Sequence, residues 1–189
     1  KVLFNFDISH GLTPSQQPVI SQNRQHLYGT TSQGGENGSG VIYDLNLMTG
    51  EISVLNSFAG PTGTTPQAPP IIVENTLYGI TGQSGAHGFG TIWSQPIDGG
   101  PIHVMHSFSG GDQDVATPFG ALTYNPKDGL LYGMAFSGGE YKLGGIFSIA
   151  PDGANYGLRA SFSRVTGGMP QTGALLLSSD GIFYGNTWL

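Results

Sequence analysis

The sequence predicts an all-β protein, a β-propeller or a fragment of one, with four-stranded antiparallel blades of about 50–52 residues. Three regularities predict this fold. First, the tripeptide Leu-Tyr-Gly recurs, with Phe183 in place of leucine in the last copy, and its tyrosines lie 50, 54 and 52 residues apart at Tyr28, Tyr78, Tyr132 and Tyr184. Second, a proline recurs every 52 residues, at Pro14, Pro66, Pro118 and Pro170. Third, a Ser-Phe pair recurs, ending in Phe58, Phe108 and Phe162, and Asn5–Phe6 stands in the matching place.

Composition agrees with strands joined by tight turns. Glycine accounts for 32 of the 189 residues, while charged residues make up only 10 %. The net charge is −6 and the six basic residues are scattered, which argues against a nucleic-acid partner. The absence of cysteine excludes disulfides, thiolate zinc sites and cysteine nucleophiles. No stretch has the apolar length of a membrane span, so we predict none.

The chain is predicted to be one repeat domain, residues 1–189, with units at about 7–58, 59–108 and 109–162. Residues 163–189 together with 1–6 make an incomplete fourth unit, which gives about 3.6 repeats in all. In each complete unit the third-strand aromatic follows the tyrosine by 15 residues, and the phenylalanine follows 15 residues later. Constant spacing predicts paired strands, and length varies only around the proline, which predicts a loop there.

Each unit is predicted to hold four strands. The first follows the proline, at Pro18–Ile20, Pro70–Val73, Ala121–Thr123 and Ala174–Leu177. The second carries Leu-Tyr-Gly, and a Gly-rich hairpin leads to the third at Val41–Tyr43, Thr91–Trp93 or Gly145–Phe147. The fourth ends in Ser-Phe, and Lys1–Phe6 is predicted to be such a strand.

Fourth strands are predicted to be covered on both faces. In the first unit, one face would carry Val54, Asn56 and Phe58, and the other Leu55 and Ser57. Neither face is cleanly polar, so each sheet is expected to lie between two others, as propeller blades do. The alternative is a β-solenoid, whose shorter coils need no hairpin turn between every pair of strands.

The run from Leu27 to Tyr43, with Gly34–Gly35 in its hairpin, resembles the GloVer (choice-of-anchor) tandem repeat of bacterial secreted and surface proteins. Gly90–Thr91–Ile92–Trp93 and His106–Ser107–Phe108 match further parts of that repeat. The resemblance covers essentially the whole chain. It implies a propeller-like repeat array located outside the cell or on the bacterial surface, and it brings no established catalytic residues.

The incomplete fourth unit leaves three alternatives open. The chain is a fragment of a longer propeller, a four-bladed ring closed by its N-terminal strand, or a subunit that another copy completes. The last would make self-association a partnership of this protein, because an unpaired strand edge pairs with something else.

Variable loop residues are the candidate ligand site, because they change while the scaffold repeats. The hairpins supply one set, and the loops after the fourth strands supply another at 7–10, 62–65 and 112–114. Both sets are expected on one face. The predicted binding residues are Glu36, Asn37, His87, Phe89, Glu140, Tyr141 and Lys142.

Asp112 and Asp114, in the one expanded loop, are candidate ligands for Ca²⁺, with a solvated loop as the alternative. His103 and His106 lie three apart on a strand and are predicted on opposite faces, with His106 as a partly buried polar residue. The glycine hairpins are interpreted as turns rather than phosphate cradles, because no Lys or helix follows them. The repeated tyrosines are interpreted as packing residues rather than sugar-stacking platforms.

These features predict a non-enzymatic extracellular module with a structural, adhesive or self-assembling role, with a polysaccharide as the candidate ligand. The alternative is a carbohydrate-active hydrolase or lyase. Its carboxylates would come from Asp7, Glu36, Asp112 and Glu140, if two of them face each other across a cleft.

Overall fold

The computed structural model describes residues 2–170 and 173–189, and these residues form four antiparallel sheets, one for each unit. The first sheet holds β1 (Leu12–Pro14), β2 (Val19–Ile20), β3 (His26–Gln33), β4 (Val41–Asn46) and β5 (Ile52–Ser57). Both β1 and β2 pair with β3, so they are two pieces of one interrupted first strand. One 3₁₀ turn, Gly60–Thr62, leads to the second unit.

The next two sheets repeat this order. The second contains β6 (Ile71–Val73), β7 (Thr76–Thr81), β8 (Thr91–Pro96) and β9 (His103–Ser107). The third contains β10 (Val115–Asn125), β11 (Leu130–Gly138), β12 (Gly145–Ile149) and β13 (Gly157–Ser161). The fourth contains β14 (Leu176–Leu177) and β15 (Phe183–Tyr184). The propeller-type, four-stranded antiparallel unit predicted from the sequence is therefore confirmed.

Both faces of a sheet are covered, as the fourth-strand pattern predicted. On β4, Val41 and Tyr43 join a cluster with Phe6, while Ile42 joins a second cluster with Phe58. Alternate residues of one strand thus enter two different cores, which is the packing expected between neighbouring blades. The core of the protein lies between the sheets.

A β-bulge corrects the predicted faces of the fourth strand. Ile42 pairs with Asn56 but Tyr43 pairs with Val54, so Leu55 is an extra, unpaired residue. Val54 consequently packs with Tyr43, whereas Phe58 and Leu55 pack in the other cluster. The prediction that Val54 and Phe58 share a face was wrong, because strict alternation cannot cross a bulge. The same bulge recurs opposite Ile92/Trp93 and Ile146/Phe147.

Strand bounds differ from the prediction most at the first and the third unit. Of the predicted strand Lys1–Phe6, Lys1 lies outside the described residues and residues 2–6 form no strand, although Phe6 does pack on Tyr43 at a centroid distance of 5.0 Å. No neighbouring strand provides hydrogen-bond partners for this segment within the described residues, so side-chain packing alone holds it. The first strand of the third unit is longer than predicted, because β10 continues through Pro118 with a bulge between Phe119 and Thr123.

The same aromatic contact joins consecutive units three times. Phe6 meets Tyr43, Phe58 meets Trp93 and Phe108 meets Phe147, with centroid distances of 5.0, 5.4 and 5.1 Å and interplanar angles of 64–65°. These edge-to-face pairs link the last residue of one unit to the third strand of the next. We call each one a blade contact.

The glycine of Leu-Tyr-Gly leaves room for the third-strand ring of its own unit. A Cβ on Gly29, Gly79 or Gly133 would lie 2.3–2.4 Å from the ring of Tyr43, Trp93 or Phe147. The third-strand ring therefore occupies the place that a side chain at the glycine would need. Tyr28 and Tyr78 are buried, as expected of packing residues, whereas Tyr132 is partly buried and Tyr184 is 53 % exposed.

Candidate functional site

The two variable loop sets lie beside each other, as the sequence predicted. In every complete unit, the second hairpin glycine donates its N–H to a carbonyl of the loop with which the unit begins. Gly35 donates to Ile8 at 2.7 Å, Gly85 to Gly60 at 2.8 Å, and Gly139 to Asp114 at 2.8 Å. We call the surface formed by these hairpins and loops the loop face.

The predicted ligand-binding residues all lie exposed on the three hairpins. They are Glu36 and Asn37, His87 and Phe89, and Glu140, Tyr141 and Lys142. Two large apolar side chains among them face solvent, since Phe89 is 43 % and Tyr141 54 % exposed. The Phe89 ring lies beside Gly110, and Phe89 O accepts a hydrogen bond from Thr117 N at 3.0 Å. The structure therefore brings the second hairpin against the expanded loop.

The third hairpin reaches the same loop from the other side. Lys142 Nζ lies 2.5 Å from Asp112 Oδ1, and both side chains are largely exposed. An exposed pair of this kind contributes little to stability, about 0–1 kcal/mol. It places a cation and an anion together at the edge of the expanded loop. Loop 109–114 thus lies between Phe89 and Lys142.

Asp114 is the buried centre of the expanded loop. Its carboxylate accepts hydrogen bonds from Ser109 N, Ser109 Oγ and Val115 N, each at 2.8 Å. His106 Nε2 lies 3.1 Å from Oδ2, and the Tyr156 hydroxyl also donates to Asp114. Burial alone would raise the pKa of Asp114, but the hydrogen bonds from His106, Tyr156 and Ser109 outweigh it and hold the pKa well below its usual value.

His106 and Tyr156 form a stacked pair above this carboxylate. Their ring centroids are 3.6 Å apart and their planes differ by 13°. Burial, followed by the hydrogen bond to Asp114, raises the pKa of the Tyr156 phenol well above its ordinary value, so the hydroxyl stays protonated. Nε2 is the ring nitrogen of His106 that faces the carboxylate of Asp114. His106 is partly buried, as predicted.

Among the residues that the structure describes, this cluster of His106, Asp114 and Tyr156 has no counterpart in the other units. Asp114 stands at the position of Thr62 and Thr166, whose hydroxyls accept from the N–H groups of Ala59 and Ser163. Asp114 does the same for Ser109, so its first role is to close the loop. Tyr156 stands at the position of Ile52 and Ile102 and was not singled out from the sequence. A tyrosine where the other units have isoleucine was the available signal.

Two open depressions lie on the loop face. One of about 470 Å³ is lined by His106, Asp112, Gln113 and Tyr156, among others. The other, of about 770 Å³, is lined by Asp7, Ser9 and Glu36 on the first unit. Hydrogen bonds from Ser9 and His10 hold the pKa of Asp7 below its usual value. The loop carboxylates are therefore divided, with Asp7 and Glu36 in one depression and Asp112 in the other.

The two predicted calcium ligands, Asp112 and Asp114, have different hydrogen-bond partners. Asp114 directs its oxygens at five protein donors, while Asp112 is paired with Lys142. Within residues 2–170 and 173–189, no group of three or more His, Asp or Glu residues could hold a metal ion. A Ca²⁺ site at Asp112 and Asp114 stays a prediction.

Asp114→Asn is expected to lower the free energy of unfolding by about 2 kcal/mol at pH 7. The amide supplies one acceptor where the carboxylate supplies two, and it turns an N–H₂ group towards donors. Because the folded pKa of Asp114 is lowered, its contribution is present above the unfolded pKa near 4 and is lost as pH falls towards the folded pKa. The free energies of unfolding of the parent and of Asp114→Asn, measured in urea, should therefore differ less at pH 3 than at pH 7.

Asp112→Asn is the control for this prediction. It removes the same charge from the same loop but only an exposed pair, so it should change stability by less than about 1 kcal/mol at either pH. Equal effects of the two variants would contradict the central role of Asp114.

The fold and the repeat define the class of this protein as a β-propeller repeat protein. The sequence matches the model of the Gloeobacter/Verrucomicrobia repeat over residues 1–189, and the chain belongs to that family. This confirms the predicted membership of the repeat family. No curated protein matches the chain significantly.

Solved β-propellers share the fold at low sequence identity. A gluconolactonase from Xanthomonas campestris matches with TM-score 0.59 and 18 % identity, over 90 % of this chain and 55 % of its own. TolB from Acinetobacter baumannii matches with TM-score 0.56 and 17 % identity, over 94 % and 38 %. A chain of the nidogen/laminin complex gives TM-score 0.55 and 16 % identity, over 85 % and 50 %. This chain thus spans about half, or less, of each.

No helix among the described residues combines the length and the apolar character that crossing a bilayer requires.

Proposed function

We propose that this chain is a non-enzymatic extracellular module that holds a neutral polysaccharide on its loop face, in a structural or adhesive role. One observation carries the proposal: the aromatic side chains of two hairpins are exposed, unlike those of the blade contacts. Those of the blade contacts are packed between sheets, whereas Phe89 and Tyr141 project from hairpins into solvent. Exposed aromatic rings beside hydrogen-bonding groups suit the apolar faces and hydroxyls of a sugar.

The surroundings of Phe89 supply those hydrogen-bonding groups. Gln113, Asp112 and His106 line the depression in the expanded loop, and Lys142 stands at its edge. The net charge of −6 opposes an anionic polymer, so a neutral glycan is the favoured class. Location outside the cell is part of this proposal and is supported by the resemblance to secreted repeat proteins.

Binding to neutral polysaccharides is expected to depend on the hairpin aromatics. Affinity electrophoresis in gels containing xylan, glucomannan or soluble starch should show retardation by at least one of them. Phe89→Ala and Tyr141→Ala should each weaken it about threefold to tenfold, the range for loss of one aromatic stacking contact. Met48→Ala is the control, because Met48 is 76 % exposed on a turn between β4 and β5, outside the loop face.

Retardation that survives both aromatic substitutions would contradict the loop face as the site. Absence of retardation by every polymer would contradict glycan binding itself.

A carbohydrate-active enzyme is the second candidate, favoured by the pairing of Asp7 and Glu36 in one depression of about 770 Å³. Two carboxylates facing one cleft are what glycoside hydrolysis needs. Release of reducing ends from a bound polymer, abolished by Glu36→Gln, would establish it. Binding without any turnover would favour the module instead.

A further inference from the structure

Three buried polar atoms of the second unit have no hydrogen-bond partner among the described residues. They are the indole Nε1 of Trp93 and the amide Nε2 and Oε1 of Gln95, and both side chains are completely buried. Leaving a buried donor or acceptor without a partner costs stability, and folded proteins contain few such groups. Three of them on one strand indicate a partner that is not a protein group.

Both side chains lie between the first and the second unit. On β8, Gln95 pairs with Leu77 and Trp93 pairs with Gly79, with no bulge between these two pairs. Directly paired residues of antiparallel strands lie on the same face of the sheet. Leu77 and Trp93 pack in one cluster with Phe58 of the first unit. Gln95 therefore faces the first unit, beside the blade contact of Phe58 and Trp93.

The other complete units are apolar at the position of Gln95. Leu45 stands there in the first unit and Ile149 in the third, and both are buried. Phe147 stands at the position of Trp93 in the third unit and has no polar atom in its ring. Apolar side chains therefore suit these two places in the fold, and the polar pair is a property of the second unit.

The polar atoms define the chemistry of their partner. Trp93 Nε1 and Gln95 Nε2 donate hydrogen bonds and Gln95 Oε1 accepts one, so the partner must both accept and donate. The two donors disfavour a cation, and the net charge of −6 disfavours an anion. Complete burial restricts the partner to a small species. Water meets these conditions, because a buried water typically makes about three hydrogen bonds to groups of this kind.

A depression of about 390 Å³ lies beside the polar pair, at the strand ends away from the hairpins. Ile72 and Ile97 line it and also pack against the cluster that contains Trp93. Ile72 and Gln95 both pair with Leu77, so they lie on the same face of the sheet. Ile97 follows Gln95 by two residues. The buried amide thus lies behind the wall of an open depression, through which water can exchange with the solvent.

We propose that Trp93 and Gln95 bind ordered water between the first and the second unit. The water accepts the indole N–H of Trp93 and donates to the amide oxygen of Gln95, and the amide N–H₂ donates to the same or a neighbouring water. The contact between these two units is therefore hydrated at its centre. The corresponding place in the third unit, with Phe147 and Ile149, is dry.

Water cross-peaks in NMR spectra of the isotope-labelled chain test the proposal directly. The indole proton of Trp93 and the amide protons of Gln95 should show NOE and ROE cross-peaks to water of opposite sign. Opposite signs identify water that stays bound for longer than the protein takes to tumble. The indole of Trp188 is the internal control, because it is 70 % exposed and meets only exchanging surface water.

Tyr28→Phe is the control for a relayed signal. Tyr28 lies in the same cluster as Trp93, and its hydroxyl proton could pass magnetisation from the solvent to the indole. The cross-peaks should persist in Tyr28→Phe, because bound water does not need that hydroxyl.

Gln95→Leu introduces the residue of the first unit and should abolish the water cross-peak of Trp93. A single indole in an otherwise apolar place offers too few partners to retain a water. Gln25→Leu is the matched control, because it makes the same substitution at an exposed position and should leave the cross-peak unchanged.

The effect of Gln95→Leu on the melting temperature should depend on Trp93. In the parent chain the substitution should lower the melting temperature, because the indole N–H loses its partner. In Trp93→Phe, which carries the ring of the third unit, no indole needs a partner. There the same substitution should leave the melting temperature unchanged or raise it.

Three results would overturn the proposal. They are the absence of a water cross-peak at Trp93 in the parent chain, a cross-peak that persists in Gln95→Leu, or equal shifts of the melting temperature by Gln95→Leu in the parent and in Trp93→Phe. These measurements involve no glycan, so they are independent of the function proposed for the loop face.

Discussion

Phe58→Ala is expected to lower the free energy of unfolding by about 3–5 kcal/mol, the usual cost of truncating a buried phenylalanine. Phe58 is completely buried, and its ring meets Trp93 edge to face at 5.4 Å. The substitution removes apolar burial, leaves a cavity and breaks the contact between the first and second units. Equilibrium unfolding in urea, followed by far-ultraviolet circular dichroism, measures the loss.

Phe162→Ala is the matched control, because Phe162 is the same residue of the repeat but is only partly buried. No third-strand ring lies against it within the described part of the chain. Its truncation should cost about 1 kcal/mol, a common value for a less buried site. Equal losses for Phe58→Ala and Phe162→Ala would show that the blade contact adds nothing, contrary to expectation.

Gly79→Ala is expected to destabilise the protein by about 3 kcal/mol, at the upper end of the range for overpacking a core. The new Cβ would lie 2.3 Å from Trp93 Cζ2, well inside van der Waals contact. Trp93 is completely buried and its ring also packs on Phe58, so relieving the clash would disturb the core. The melting temperature and the urea midpoint should both fall.

Two further variants separate the clash with Trp93 from the general effect of replacing glycine by alanine. Gly60→Ala adds the same methyl group where nothing lies within 4 Å and the φ angle is not positive, so stability should hardly change. Gly79→Ala made together with Trp93→Ala should cost less than the sum of the two single changes, because the clash is gone. Strict additivity would be incompatible with the ring-on-glycine contact.

Much of the fold follows from the repeat in the sequence. Constant spacing between Tyr28, Tyr43 and Phe58 identified the strands whose pairing admits no insertion, and the structure places all three in packed strands or at their ends. The variable spacing before Pro118 identified the expanded loop. The strands and the expanded loop were thus identified by comparing the units of one chain with each other.

The bulge in each fourth strand could not be predicted, because it changes neither the length nor the composition of the unit. Leu55, Met105 and Arg159 occupy the bulged position and share no chemical property. Alternation across such a site predicts the wrong face for every later residue. The ring-on-glycine contact was missed for a related reason, since the repeat showed Gly79 and Trp93 separately and only the pairing of β7 with β8 puts them opposite each other.

The candidate site was predicted in part. The hairpin residues and the expanded loop were identified because they depart from the repeat, and the structure places them together. The centre of the cluster was not identified as such, because Asp114 was judged as a metal ligand and Tyr156 lies 42 residues away. Asp114 and Tyr156 each replace a different residue of the other units, so the hydrogen bond between them has no counterpart in the repeat.

The blade contact also determines how stability is distributed. Each contact joins one unit only to the next, so the free energy of the array is a sum of unit terms and nearest-neighbour terms, as in a one-dimensional chain of coupled elements. A unit that makes blade contacts on both sides should then open less often than a sheet that makes none. Amide hydrogen exchange should therefore be slower in the first and second units, which each make two such contacts, than in β14 and β15, whose residues take part in none.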